Sequence, residues 1–401
     1  MKIVLVLITL IYGNLIFCQE AWIQMDSVNG APKASCVGFS LMGEGYIGMG
    51  ISSSGNKRSM YSYDLDQDDW DQELSLGGIN ASGLNRNSAV SFVIDNKAYV
   101  GTGNGSAPFL DDIWEYDPIA EVWTQKASFG GSPRRQAIGF AIDSLGYIGT
   151  GEDANGLTND FWQYNPSNNS WVEVAEFIGT ARKQAVGAVM GALGYVGTGN
   201  DGSYRRDFYE YNPNLDVWTL KPMFFGSPRY GATAFAMFPN LYIATGYDNT
   251  LSYKNDVWEY NFFTNTWTQK IDFPGDGRVN ASSFVVDGIG FLGTGYNGTY
   301  LDDFYAYLVP LSNSSITNRP DEILVYPNPC INRFSVKLTQ TTEAEIKLYS
   351  LNGAEHTCKM QFNQSENLVN VNVSNVSNGV YIYYIYQGKE VVDTGKIIVR
   401  K

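Results

Sequence analysis

The sequence has almost no histidine. Its single histidine is His356, near the C-terminal end. A Ser-His-Asp or Cys-His catalytic arrangement needs that side chain, and so do histidine-ligated zinc, copper and iron sites. These chemistries are excluded from the rest of the chain, and we expect neither a metal nor a cofactor.

Cysteine is scarce as well. Apart from Cys18, which lies in an apolar leader, the chain has Cys36, Cys330 and Cys358. This odd number predicts no disulfide framework, although Cys330 and Cys358 could pair in an oxidising compartment. Cys36 falls among apolar residues and is predicted to be a small core residue. No two cysteines have zinc-finger spacing.

Charged residues are few, and acidic residues outnumber basic ones. Charged residues make up 17% of the chain, and 41 acidic against 27 basic residues give a net charge of −14. No stretch concentrates Lys or Arg, so neither nucleic acid nor an anionic membrane is an expected partner. Long helical patterns are nearly absent. The 42 glycines and 27 tyrosines instead favour many short strands joined by tight turns.

The N-terminal segment reads MKIVLVLITLIYGNLIFCQE, one cationic residue followed by an apolar run. This pattern predicts a signal peptide over residues 1–19, with cleavage near Cys18–Gln19. Two alternatives stay open, a lipid attached at Cys18 and retention of the segment as an anchor. Phe17 argues against the lipid, because a small residue is expected before a lipidated cysteine.

A repeat of about 50 residues covers most of the chain. An aromatic–aliphatic step followed by a glycine motif recurs six times, closing at Gly50, Gly103, Gly151, Gly199, Gly246 and Gly295. A tyrosine seven residues before a tryptophan recurs five times, from Tyr63–Trp70 to Tyr260–Trp267, and Tyr307 begins a sixth copy without its tryptophan. Trp22 precedes Trp70 by 48 residues. We therefore expect an N-terminal strand to complete the last blade of a closed ring.

This glycine–tyrosine–tryptophan pattern resembles the kelch repeat over about residues 21–307. The resemblance implies an all-β fold, a six-bladed kelch-like β-propeller. The motif departs from the common kelch glycine doublet, since GTG or ATG stands in its place in five of the copies.

The polar segment 308–321 is predicted to be a linker, and the last 80 residues show short alternating strands. The strands predicted there are Ile323–Tyr326, Phe334–Leu338, Ile346–Leu351, Leu368–Val373, Val380–Tyr386 and Lys396–Val399. Their landmarks are VYPNP at 325–329, IKLYSLNG at 346–353, SNGVYIYYI at 377–385 and the terminal KIIVRK. These resemble the type A sorting domain of the type IX secretion system, a small β-sandwich. The resemblance implies the secretion machinery as a partner, and a final location in the medium or on the outer surface of a Gram-negative cell. The predicted domains are thus 1–19, 20–307, 308–321 and 322–401.

Each repeat also carries one basic and one acidic residue in register. The basic residue is Lys33 in the first repeat and an arginine in the others, and the acidic residue stands four positions before the repeat tyrosine, with Ser59 in the first copy. Two roles stay open for these sets, holding each blade together and, for the arginines, facing an anionic ligand at the channel mouth. The arginines are Arg86, Arg134, Arg182, Arg229 and Arg278; the aspartates are Asp112, Asp160, Asp207, Asp256 and Asp303.

The loops after the glycine motifs vary most between repeats, as binding loops do on a rigid scaffold. The further ligand-binding candidates there are Asp153, Tyr204, Tyr247 and Tyr296, with Phe109, Arg205, Tyr253 and Tyr300 nearby. The acidic run at 64–73 lacks the glycine and distal glutamate of a calcium loop and is predicted to be a solvated turn.

We expect a monomeric, non-catalytic protein that binds a glycan or a protein through these loops. Two alternatives remain, a sugar mutarotase- or epimerase-like enzyme and a structural surface or matrix protein. An enzyme of the first kind would need a converging cluster of arginine and carboxylate side chains.

Overall fold

The computed structural model describes residues 20–79, 84–309, 323–328, 330–338, 344–350, 353–363, 367–387 and 390–401. The predicted signal peptide lies outside these ranges, and of the predicted linker only Leu308 and Val309 lie inside them. The chain divides into two compact units, Met1–Val309 and Pro310–Lys401. All regular secondary structure in the described residues is β-strand.

The first unit is a ring of six blades, each a four-stranded antiparallel sheet. From the inner to the outer strand, blade 1 contains Val37–Leu41, Glu44–Gly48, Met60–Asp64 and Asp69–Glu73; blade 2 Val90–Ile94, Lys97–Gly101, Ile113–Asp117 and Val122–Gln125; blade 3 Ile138–Ile142, Leu145–Gly149, Phe161–Asn165 and Ser170–Val174. Blade 4 contains Val186–Met190, Leu193–Gly197, Phe208–Asn212 and Val217–Lys221; blade 5 Thr233–Met237, Asn240–Ala244, Val257–Asn261 and Thr266–Gln269; blade 6 Ser282–Val286, Ile289–Tyr296, Tyr300–Leu308 and, outermost, Ala21–Met25. The inner strand of each blade contacts those of both neighbours, so these strands surround a central axis.

Three short two-stranded ribbons extend the loops. They are Ile51–Ser52 with Gly55–Asn56, Glu152–Asp153 with Gly156–Leu157, and Arg229–Tyr230 with Tyr247–Asp248.

Ring closure follows the prediction. Ala21–Met25 pairs with Tyr300–Leu308 in the register that sets Trp22 opposite Tyr307. Their ring centroids are 4.6 Å apart, and the equivalent Tyr116–Trp123 pair of blade 2 lies at 5.0 Å. Trp22 therefore takes the place of the missing sixth tryptophan.

The core lies between blades. Strand alternation sends Val90, Phe92 and Ile94 of blade 2 into a cluster that also contains Ile148 and Tyr164 of blade 3. Other clusters join neighbouring blades in the same way, and that of blades 6 and 1 forms across the closure of the ring. Aromatic rings thus fill the wedge between adjacent sheets.

The second unit is a sandwich of two four-stranded sheets around one core. One sheet contains Leu324–Tyr326, Arg333–Lys337, Leu368–Asn372 and Lys359–Asn363; the other contains Glu355–His356, Glu345–Ser350, Gly379–Gln387 and Glu390–Val399. Two of these strands, Glu355–His356 and Lys359–Asn363, were not predicted. Cys36, Cys330 and Cys358 are free thiols.

Candidate binding face

One end of the propeller carries the loops that differ between blades. The connections between second and third strands and those between successive blades open at this end, which we call the loop face. At its centre, the residue after each repeat basic residue pairs with the residue after the closing glycine. The six pairs are Ala34–Ile51, Asn87–Asn104, Arg135–Glu152, Lys183–Asn200, Tyr230–Tyr247 and Val279–Tyr296. The backbone is common to all six, and the side chains change from blade to blade.

A closed ring of backbone hydrogen bonds fixes this centre. In each blade one amide donates to the carbonyl of its counterpart in the preceding blade, at 2.7–3.0 Å. All six residues have left-handed φ values between 54° and 60°. They are Ser35, Ser88, Gln136, Gln184, Gly231 and Asn280. The loop face therefore rests on a rigid base.

Of the two roles left open for the repeat arginines, facing a ligand is excluded, because their side chains are fully buried. All five side chains are fully buried, and each guanidinium binds the aspartate of its own blade through two hydrogen bonds of 2.5–2.8 Å. In blade 3, Arg134 also donates to the carbonyls of Thr150 and Ser132, and its guanidinium lies 4.8 Å from the ring of Phe129. The arginine candidates for ligand binding thus hold their blades together: Arg86, Arg134, Arg182, Arg229 and Arg278.

The half-buried aspartates show the electrostatic effect of this pairing. Burial alone would raise the carboxyl pKa values of Asp112, Asp160 and Asp256, but the hydrogen bonds and charge of the partner arginines lower them. These carboxylates stay ionised and are structural.

Blade 1 departs from this plan. Lys33 is buried, donates to the Asn29 carbonyl at 3.2 Å and lies 4.3 Å from the centre of the Tyr61 ring. Burial lowers the pKa of its amine.

Asp153, another ligand candidate, is also structural. Its buried carboxylate accepts hydrogen bonds from Ser132 Oγ at 2.6 Å and from the backbone amides of Asn155 and Gly156. It fixes the turn between two short strands and does not point to a ligand.

The three tyrosine candidates do come together. Tyr204, Tyr247 and Tyr296 lie in the loops of blades 4, 5 and 6, where Tyr230, Tyr253 and Tyr300 join them; we call these six residues the tyrosine cluster. The ring centroids of Tyr204–Tyr230 and Tyr247–Tyr253 are both 4.9 Å apart, and those of Tyr296–Tyr300 are 5.2 Å apart. All six rings are half-buried.

Ring contacts join the tyrosines of blades 4 and 5, and Tyr296 of blade 6 lies close enough to Tyr253 to affect its pKa. The ring centroid of Tyr247 lies 6.4 Å from that of Tyr204 and 5.8 Å from that of Tyr230. Burial, followed by the neighbouring hydroxyls of Tyr296 and Tyr247, raises the pKa of Tyr253. Burial also raises the pKa of Tyr230 to about 12, with Tyr204 and Tyr247 adding to the shift. The hydroxyl groups of Tyr230 and Tyr253 therefore stay protonated and can donate hydrogen bonds.

Sequence reasoning missed Tyr230. Its position holds Ala34, Asn87, Arg135, Lys183 or Val279 in the other repeats. The signal that could have found it is an aromatic residue at a position where no other copy of the repeat has one.

The rest of the loop face is polar. In blades 1 and 2, Asn87 donates to Asn56, and Asn56 donates to the Asn104 carbonyl. In blades 3 and 4, Glu152 binds both Arg135 and Lys183 at 2.9 Å. The guanidinium of Arg135 also lies 5.4 Å from the centre of the Phe109 ring.

Ion pairs continue into blades 4 and 5. Arg205 binds Asp201 at 2.6 Å, and Lys254 lies 3.6 Å from Asp248. Within the described residues, no group of three or more His, Cys, Asp or Glu side chains is arranged to hold a metal ion. The described part of the chain likewise contains no helix of the length and apolarity that a membrane span needs.

Comparison with known families identifies the second unit. Residues 324–400 match the family described as the secretion system C-terminal sorting domain. The second unit is a type IX secretion sorting domain. The protein is therefore exported by that system.

The first unit resembles the protein in the solved "Structure of YjhT". The TM-score is 0.59 at 17% identity, over 71% of this chain and 99% of that one. At this identity the likeness shows the fold alone, a kelch-like propeller. No curated protein matches the chain significantly.

Proposed function

We propose that the exported propeller binds a glycan on the tyrosine cluster of its loop face. The observation that carries this proposal is the convergence of six half-buried tyrosine rings from three blades. A tyrosine ring offers an apolar face on which a sugar can lie and a hydroxyl that can bond to it. Because each ring packs against another ring, little side-chain freedom is lost on binding.

The carboxylates around the cluster support binding over sugar conversion. Burial would raise the pKa values of Asp201 and Asp248, but hydrogen bonds from Arg205 and Thr180 to the first, and from Thr250 and Ser227 to the second, lower both to about 2. A general acid that works near neutral pH needs a raised carboxyl pKa. Neither aspartate can supply a proton to a sugar at that pH.

The test is a glycan-array screen followed by titration calorimetry on the best ligand. A Tyr230→Ala/Tyr247→Ala variant should bind that ligand roughly tenfold or more weakly, because it loses two stacking surfaces. The matched control is Phe262→Ala/Phe263→Ala, an aromatic pair with centroids 5.1 Å apart at the opposite end of blade 5. Its affinity should equal that of the wild type.

Absence of glycan binding by the folded wild-type protein would refute the proposal and favour a structural or protein-binding role. Turnover of the bound sugar, followed by NMR of its anomeric protons, would instead establish the enzyme alternative.

A further inference from the structure

The charges of the loop face are arranged with cations outside and carboxylates inside. In the Arg205–Asp201 pair the arginine side chain is 41% exposed and the aspartate 6%; in the Lys254–Asp248 pair the values are 31% and 1%. Arg135 and Lys183, 33% and 26% exposed, share one carboxylate, Glu152, at 20%. We call these four basic side chains the cationic arc.

Asp201 and Asp248 cannot turn outward, because their own loops donate hydrogen bonds to both carboxylates. Asp201 accepts hydrogen bonds from Thr180 Oγ1 at 2.6 Å and from the amide of Ser203. Asp248 accepts from Thr250 Oγ1 at 2.6 Å and from the amides of Thr250 and Ser252. The solvent-facing part of each pair is therefore its ammonium or guanidinium group.

The cationic arc adjoins the tyrosine cluster. The backbone of Asn200 bridges both to Lys183 of the arc and to Tyr204 of the cluster, and Arg205 follows Tyr204 directly. A ligand on the tyrosine rings therefore has Lys183, Arg205 and Lys254 within the same loops.

The net charge of −14 opposes an anionic ligand only at long range. At physiological ionic strength the Debye length is about 8 Å, so distant acidic residues are screened. Within the arc, four basic side chains face three carboxylates, those of Glu152, Asp201 and Asp248. Arginine and lysine bind carboxylate and sulfate groups through charge-assisted hydrogen bonds.

We propose that the ligand is an acidic polysaccharide, whose carboxylate or sulfate groups lie along the cationic arc while its sugar rings lie on the tyrosine cluster. This inference rests on the proposed glycan-binding function and specifies its ligand class. It also implies that the acidic groups recur along the polymer, because the arc spans three blades.

The experiment measures binding of the full chain to immobilised polygalacturonate, dextran sulfate, neutral dextran and double-stranded DNA. The test variant is Lys183→Gln/Lys254→Gln. The control is Lys97→Gln/Lys126→Gln, which removes the same charge from blade 2, where both lysines bind Glu115. We expect binding to polygalacturonate or dextran sulfate, weakened about tenfold or more in the test variant only and weakened by added salt.

Binding to polygalacturonate would indicate recognition of carboxylate groups, and binding to dextran sulfate would indicate recognition of sulfate groups. Either result supports the inference. Neutral-glycan binding that depends on Tyr230 and Tyr247 but not on Lys183 and Lys254 would overturn the inference and leave the proposed function standing. DNA binding equal to that of the acidic glycans would overturn the ligand class. Failure of the folded protein to bind any glycan, here or on the array, would overturn both proposals.

Discussion

At the scale of single residues, one buried unit repeats in five blades. An arginine joins the start of the inner strand to the aspartate that precedes the third strand, 25–27 residues later. The same guanidinium donates to the carbonyl of a threonine in the glycine motif. Those threonines have φ values of 58–63°, which a β-branched residue rarely adopts. The arginine bond holds this strained backbone in place.

This unit predicts a large penalty for removing one partner. Asp160→Asn leaves the fully buried Arg134 without its carboxylate, so we expect a loss of about 3–5 kcal/mol in the free energy of unfolding. The matched control is Glu173→Gln on the exposed outer strand of the same blade, which should change stability by less than about 0.5 kcal/mol. Urea denaturation of the purified protein measures both.

The pH dependence of that loss has a defined sign. Because the pKa of Asp160 is lowered in the folded protein, its contribution is complete above the unfolded value of about 3.9 and disappears as pH falls towards the folded value. The difference in the free energy of unfolding between the wild type and Asp160→Asn should therefore become smaller below about pH 4. If this difference were the same at pH 3 and pH 7, the ionised Asp160 carboxylate would not be the source of the stability.

At the scale of elements, neighbouring blades are joined by backbone hydrogen bonds and by hydrogen bonds from tryptophan side chains. The amide of each closing glycine donates to the carbonyl of the basic residue of the next blade, and Gly295 closes the circle by donating to Lys33. The indole of Trp123 donates to the Leu74 carbonyl of the preceding blade at 2.8 Å, and Trp218 donates to the Ala175 carbonyl at 3.0 Å. Each blade is thus held by both neighbours.

The N-terminal strand should be essential to this closure. Replacing Ala21–Met25 by a Gly-Ser sequence of equal length removes the Trp22–Tyr307 contact and leaves Tyr300–Leu308 as an exposed edge. We expect a loss of about 3–5 kcal/mol, because the replacement removes the half-buried Trp22 and the buried Met25 from the inter-blade core, together with aggregation. Thermal unfolding and light scattering measure the two effects.

The control replaces residues 118–121, the turn between the third and outer strands of blade 2, by the same kind of sequence. It removes no strand, so it should leave the light scattering unchanged and shift stability by less than about 1 kcal/mol. A strand variant with the light scattering and stability of the wild type would mean that the ring closes without Ala21–Met25.

At the scale of the whole molecule, the periodic features could be predicted and the single ones could not. The repeat predicted six blades and the closure of the ring, because every copy forms the same four-stranded unit and packs against its neighbours in the same way. Lys359–Asn363 was missed since its side chains are exposed or half-buried, without the alternation that marks a strand. Tyr230 and three members of the cationic arc were missed for another reason. Arg135, Lys183 and Lys254 lie far apart in sequence, and only the closed ring brings their loops to one face.

The division into two units makes export separable from binding. The sorting domain has its own core, and the propeller completes all six blades within Met1–Val309. Removing residues 310–401 should therefore leave a folded propeller but abolish type IX export, because the family match lies wholly in the removed part. Fractionation of the native host should find the truncated protein in the periplasm, since it keeps the predicted signal peptide, and the full-length protein in the medium or protease-accessible on the cell surface. A point substitution in the propeller, Tyr247→Ala, serves as the control and should leave export unchanged. Wild-type amounts of truncated protein outside the cell would show that the propeller carries a second export signal.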